Sequence, residues 1–258
     1  MSSEDILTLK PPPADVRISY GAAAPQFGDL RLPKGNGPHP VVMNIHGGFW
    51  RNKYDLTHAG HLCAALAEKG IATWNLEYRR VGDEGGAWPG SFEDILNGYR
   101  FIPELMKRYH LATDRAAVMG HSAGGQLALC LAAHDSTVKH AISLAGVVDL
   151  RRAWHLHLSA DAVVEFLGGV PDQVPEHYKE ADPLELSMPR VNQWLIHGSD
   201  DETVPVEFAR TYEHEKKKSR EDVHLVEIPN AGHFELIDPR STAWRKVEEI
   251  IQTCLAIE

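Results

Sequence analysis

Six apolar runs, each four to seven residues long and separated by stretches long enough for at least one helix, constrain this chain more than any other feature. They are VVMNI (41–45), IATWNL (71–76), RAAVM (115–119), KHAISLA (139–145), QWLI (193–196) and VHLVEI (223–228). Without the alternation of a strand that has one wet face, they read as strands covered on both sides. Strand and helix alternating in this way imply right-handed crossovers and a mostly parallel central sheet with helices on both faces. Two early stretches, VRISY (16–20) and DLRL (29–32), do alternate or nearly so, and fit an antiparallel pair at the sheet edge. In a sheet of this kind ligands bind beyond the carboxyl ends of the strands, so the residues just after each strand are where chemistry is sought.

The helix candidates carry recognisable ends. Residues 55–69 stop at Gly70, a C-terminal signal. Residues 91–109 open on Ser91 with Asp94 three positions on, in the manner of a capping box. They bury Phe92, Ile95, Tyr99 and Ile102 and are expected to kink at Pro103. The last helix is expected to start at Asp238-Pro239 and to bury Trp244, Val247, Ile251 and Cys254. The cluster EHEKKKSRED (213–222) reads as a solvated helix end and turn. Residues 149–190 break the alternation and are placed as a small cap over the strand ends, inserted in one domain spanning 1–258.

At 258 residues the chain can bury a large core without disulfides or metal. Its net charge of −10 argues against nucleic acid or an anionic membrane as partner, since both favour a basic face. Cys63, Cys130 and Cys254 are odd in number, widely spaced and set among apolar residues, which reads as buried free thiols in a reducing compartment. The opening MSSEDILTLK has neither a basic nor an apolar signal region, and no stretch approaches a membrane span. A cytoplasmic protein is expected, and its oligomeric state is not legible.

Against this frame the stretch VMGHSAGGQLA (118–128) acquires meaning. G-x-S-x-G alone recurs by chance, but here it joins a buried strand to a helix, the context that a nucleophile on a strained turn requires. Gly120 and Gly124 remove Cβ atoms at the closest approach, and Gly125 lets the helix lie near a neighbouring strand. The helix begins at Ser122, so its amides and dipole point to where negative charge would develop. A serine nucleophile needs a base, and the base an orienting acid. His233 follows the last strand in PNAGHFELID, and the preceding strand ends in HGSDDETVP. Asp201 is the favoured acid, with Asp200 and Glu202 as fallbacks. Consecutive glycines in VVMNIHGGFWR let amides turn inward around an anion, so Gly48, Phe49 and Ala123 are the candidate oxyanion donors. His46 and His197 are assigned to holding loops by hydrogen bonds.

With HGGFW, GHSAGG, HGSDDETVP and AGHFEL in this order, the chain resembles the α/β-hydrolase superfamily over nearly its full length. HGGFW followed by LEYRR and WPGSFEDI is similar to the small carboxylesterases and feruloyl/acetyl esterases, and to the kynurenine formamidase branch. The resemblance implies an α/β-hydrolase fold with Ser122 as nucleophile, His233 as base, Asp201 as orienter and Gly48, Phe49 and Ala123 as oxyanion amides. Phe49 replaces the third glycine of the hormone-sensitive-lipase type, and EYRR replaces its DYRLAPE, so the chain is not placed in that group.

The expected activity is hydrolysis of small-molecule esters with small or aromatic acyl groups through an acyl-enzyme, with no metal or organic cofactor. Amide hydrolysis by the same triad is the alternative, and a non-catalytic binding protein a more distant one. Trp50, Trp88 and Trp154 are candidate substrate-binding residues near the mouth. His155 and His157 diverge at i, i+2 spacing and lack a third ligand, so a metal site is rejected.

Overall fold

The structure, a computed structural model, describes residues 3–256. Among these, eight strands form one sheet: β1 (Val16–Ser19), β2 (Phe27–Arg31), β3 (His39–Ile45), β4 (Ala72–Leu76), β5 (Leu111–His121), β6 (His140–Leu144), β7 (Asn192–Gly198) and β8 (Val223–Ile228). Their spatial order is β1-β2-β4-β3-β5-β6-β7-β8. β1–β2 and β2–β4 pair antiparallel, with Val16 opposite Leu30 and Gly28 opposite Leu76. Every pairing from β4 across to β8 is parallel. The edge pair and the parallel body lie where the hydropathy pattern put them.

Around the sheet lie α1 (Gly60–Glu68), α2 (Gly90–Arg100), α3 (Ile102–Tyr109), α4 (Ala123–His134), α8 (Glu207–Lys218) and α9 (Trp244–Cys254). Side chains alternate across a strand, and the core divides accordingly. Val41, Met43 and Ile45 of β3 join Val118 of β5 in a core with Ile95 of α2, Leu127 of α4 and Phe208 of α8. Val42, Ala117, Met119 and Ile142 belong to a second core with Leu62 and Leu66 of α1 and Val247 and Ile251 of α9. Burying each large apolar side chain is worth about 1.5–3 kcal/mol, so helices on both sides are what keep the central strands out of water.

Residues 149–190 hold three short helices, α5 (Leu150–His155), α6 (Ala162–Leu167) and α7 (Pro175–Ala181). Asp149 caps α5 by accepting from the Arg152 amide at 2.8 Å. The Gln126 side chain of α4 donates to the Ala181 carbonyl at the end of α7, 2.7 Å away.

Several local expectations are corrected. The stretch 91–109 is two helices broken at Phe101, and Pro103 falls in the first turn of α3, where its missing N–H costs nothing. Ser91 and Asp94 form no capping box, because Arg79 competes for both: its carbonyl accepts from the Ser91 hydroxyl, and its guanidinium donates to Asp94. Tyr99 is only half-buried. Asp238-Pro239 does not start the last helix, since the Asp238 carboxylate takes the Arg240 amide and guanidinium in a turn. α9 begins at Trp244, whose amide donates to the Ser241 hydroxyl. The charged 213–222 segment is not wholly solvated: Lys216 is buried and donates to the Leu186 carbonyl, and buried Glu221 accepts from Gln193. All three cysteines are buried and free.

Candidate active site

Ser122 sits between β5 and α4 with φ 57° and ψ −120°. A non-glycine residue held there stores roughly 1–3 kcal/mol, which the surroundings must over-determine. Its amide donates to the Leu144 carbonyl at 2.8 Å, and its carbonyl accepts from Gly125 at 3.0 Å. The glycines of the motif answer to contact. A methyl at Gly120 would overlap the Gly124 carbonyl oxygen, and one at Gly124 the Ile45 carbonyl oxygen. α4 is thus set directly against the ends of β3 and β5.

Ser122 lines a cavity of about 360 Å³, together with Gly48, Phe49, His121, His233 and Phe234. The loops after β7 and β8 bring Asp201 and His233 together, and Nδ1–H of His233 donates to Asp201 Oδ2 at 2.7 Å. The other carboxylate oxygen accepts from the amides of Thr203 and Val204, both at 2.8 Å. Burial works against the Asp201 charge, but His197, His233 and these amides outweigh it and hold the carboxyl far below its ordinary range. Asp200 and Glu202 are exposed, and Asp200 accepts from the Ser199 hydroxyl. His197 donates to the Val204 carbonyl at 2.8 Å and lies 3.4 Å from Asp201, so it does hold the acid loop.

The loop after β3 carries three consecutive left-handed residues: Gly48 (φ 116°), Phe49 (φ 49°) and Trp50 (φ 59°). A methyl at Gly47 would stand 2.8 Å from the His121 carbonyl oxygen and 3.0 Å from Ser122 Cβ, which measures how closely this loop approaches the serine. Among the described residues, the amides of Gly48, Phe49 and Ala123 have no hydrogen-bond acceptor. The segment LEYRR supplies the platform beneath the loop. Glu77 accepts from His46 Nε2 at 3.0 Å and from the Leu56 amide at 3.0 Å. Tyr78 stacks on the His46 ring and donates its hydroxyl to the His46 carbonyl at 3.0 Å. Burial opposes the Glu77 charge, but His46 and Arg80 hold it ionised.

The three tryptophans are not among the residues lining this cavity. Trp50 is 1% exposed, donates its indole N–H to Gln126 at 2.9 Å and stacks on Phe166. Trp88 stacks on Phe92, and Trp154 lies half-buried against His155 in the cap. Near the mouth this aromatic area goes into fastening loops, Trp50 against Phe166 and Trp88 against Phe92. Among the described residues, no group of three or more His, Cys, Asp or Glu could hold a metal ion. His155 and His157 are exposed, and His157 pairs with Asp161.

Other lining residues carried no sequence signal. His121 is buried; burial and the neighbouring His233 push it well below the ordinary histidine range, so its ring is neutral. Its Nε2–H donates to the His233 carbonyl at 3.0 Å. His58, from the short 3₁₀ turn Leu56–Ala59, is driven down to about 3, first by burial and then by His46. Leu7, from a second 3₁₀ turn at Ser3–Leu7, and Tyr54 also contribute to the wall.

Parallel strands, the strained serine turn and loops gathered at the strand ends define the α/β-hydrolase fold. The BD-FAE family model matches residues 29–215, and the chain belongs to that family. It is 28% identical to esterase LipC of Mycobacterium tuberculosis (strain ATCC 25618 / H37Rv), over 88% of this chain and 61% of that protein. It is 30% identical to versiconal hemiacetal acetate esterase of Dothistroma septosporum (strain NZE10 / CBS 128990), over 63% of this chain and 46% of that protein. The chain therefore spans about half to three-fifths of the length of these relatives. Among solved structures it is similar to a truncated carbohydrate esterase from gut microbiota, with TM-score 0.82 and 16% identity over 96% of this chain and 100% of that one. It is similar also to esterase B from Lactobacillus Rhamnosis, with TM-score 0.82 and 16% identity over 98% and 90%. No helix among the described residues is long and apolar enough to cross a membrane.

Proposed function

We propose that this protein is a serine hydrolase that cleaves carboxylic esters of small or aromatic acyl groups through Ser122, His233 and Asp201. The observation that carries the reading is the His233–Asp201 contact at 2.7 Å, with His233 and Ser122 lining one cavity. With Nδ1–H committed to Asp201, Nε2 is left as the basic nitrogen. It takes the Ser122 proton as the hydroxyl oxygen attacks the ester carbonyl. The carbonyl oxygen becomes an oxyanion, received by the amides of Gly48, Phe49 and Ala123; one such donor is typically worth about 3 kcal/mol in the barrier. His233 then protonates the leaving alcohol, and water repeats the sequence to release the acid. Asp201 stays ionised throughout and stabilises the imidazolium. The esterase names of the matched relatives support the ester as the bond cleaved. A cavity of about 360 Å³ with Phe49 in its wall favours a small acyl group.

The test is p-nitrophenyl acetate hydrolysis by Ser122→Ala beside the wild type. Turnover should fall by roughly 10⁴-fold or more with an unchanged circular dichroism spectrum. Retained turnover would mean another nucleophile.

A further inference from the structure

We infer that the cap helix α6 holds the oxyanion loop in its working shape, with Arg51 and Trp50 as positioning residues gripped by Glu165 and Phe166. The inference rests on the reading of Gly48 and Phe49 as oxyanion donors. Those two residues and Trp50 lie in a run of positive φ that the chain would not keep unaided. Backbone contacts from outside the loop pin only its far end: Val81 donates to the Trp50 carbonyl at 2.8 Å, and Asn52 to the Val81 carbonyl at 3.1 Å. Side chains hold the rest. Adjacent residues of the loop meet adjacent residues of α6: the Trp50 ring stacks on Phe166 at 4.7 Å and 7°, and Arg51 Nε donates to Glu165 Oε2 at 2.7 Å. Arg51 reaches further into the cap, to the Ser159 hydroxyl at 3.0 Å and the Ala160 carbonyl at 3.3 Å. That turn is itself wound through positive φ at His157, Ser159, Ala160 and Asp161.

The backbone couples this grip to the donors. The Arg51 amide donates to the Gly48 carbonyl at 3.1 Å, so a displacement of Arg51 rotates the peptide that follows Gly48, the one bearing the Phe49 N–H. α6 is fixed in turn by the Trp88 amide, which donates to the Phe166 carbonyl at 2.8 Å. Arg51 and Ser159 both line the cavity, so the latch closes one side of it as well.

The experiment compares Arg51→Ala, Arg51→Lys and Glu165→Gln with wild type for kcat and KM on p-nitrophenyl acetate, and for affinity toward a tetrahedral boronic-acid inhibitor. Expected is about a tenfold fall in kcat for Arg51→Ala and Glu165→Gln, below the hundredfold or more for losing a whole donor. KM should stay within about twofold, inhibitor affinity should fall in parallel with kcat, and Arg51→Lys should recover part of the loss. The acid limb of the pH–rate profile should not move, because the His233–Asp201 pair is untouched. Glu165→Gln keeps the shape of the pair and answers the question if Arg51→Ala does not fold. Unchanged kcat and inhibitor affinity would overturn the inference, as would a change confined to KM or acyl-chain preference, which makes α6 only a pocket wall. Ser122→Ala is assayed alongside: if it stays active, the reading of the site falls and this inference with it, whereas normal Arg51 and Glu165 variants beside an inactive Ser122→Ala overturn the latch alone.

Discussion

Asp201 and His233 stand 32 residues apart in the chain, yet their side chains meet at 2.7 Å, one in the loop after β7 and the other in the loop after β8. β7 and β8 pair in parallel, with Gly198 opposite Ile228, so both loops leave the sheet at the same edge and the same end. Parallel register alone therefore accounts for an acid and a base becoming neighbours.

The neighbouring carboxylates should separate cleanly on substitution. Asp201→Asn should lower kcat by about 10⁴-fold, since the amide would stabilise the wrong imidazole tautomer. Asp200→Asn should stay within a few-fold of wild type, because Asp200 is exposed and turned to Ser199. Steady-state kinetics on one ester substrate decides, and the reverse pattern would move the acid to residue 200.

Gly47→Ala tests the approach of the oxyanion loop to the serine. The added methyl would meet the His121 carbonyl oxygen at 2.8 Å, and neither backbone can yield cheaply. The loop should retreat from Ser122, with kcat falling about 100-fold or more, as for loss of one oxyanion donor. A variant with full activity would show that the loop has room to spare.

Acid should destabilise the protein partly through His58. Its folded pKa is depressed to about 3 from an ordinary 6.5, so below pH 6.5 the unfolded chain binds a proton that the folded one refuses. Stability must then fall as pH drops through that window, by about 2 kcal/mol between pH 7 and 5 for one such group. Buried Asp182, raised from an ordinary 3.8 to about 8 chiefly by burial, acts with the opposite sign, losing stability as pH rises from the ordinary carboxylate range up to that value. The comparison of variants isolates the histidine: urea unfolding of His58→Gln at pH 7 and pH 5 should differ by about 2 kcal/mol less than wild type. Equal pH dependence in the two proteins would refute the assignment.

The thiols should be silent until the chain unfolds. Burial lifts Cys63 and Cys254 to about 12 and raises Cys130 well above its ordinary value, so little thiolate exists at neutral pH. A thiol-specific disulfide reagent at pH 8 should report almost none in the native protein and all three in denaturant. Rapid native labelling would place at least one at the surface.

What the sequence determined was whatever depends on neighbours along the chain. Apolar runs without alternation specified the parallel strands, and the glycines around Ser122 announced a turn too tight for side chains. The position of Asp201 and His233 just past strand ends made them the candidate acid and base among many acids and fifteen histidines. Only the tertiary structure decided the rest. Trp50 stands close to Gly47 and Gly48 in sequence, but its side chain was claimed by Phe166 and Gln126, more than 75 residues away. Asp94 looked like part of a helix cap until Arg79 arrived from the loop after β4, and His58 and His121 became neutral wall residues only when packing removed their water. Local pattern fixes where the backbone turns; which side chain wins a given partner is a competition among groups that the fold alone brings within reach.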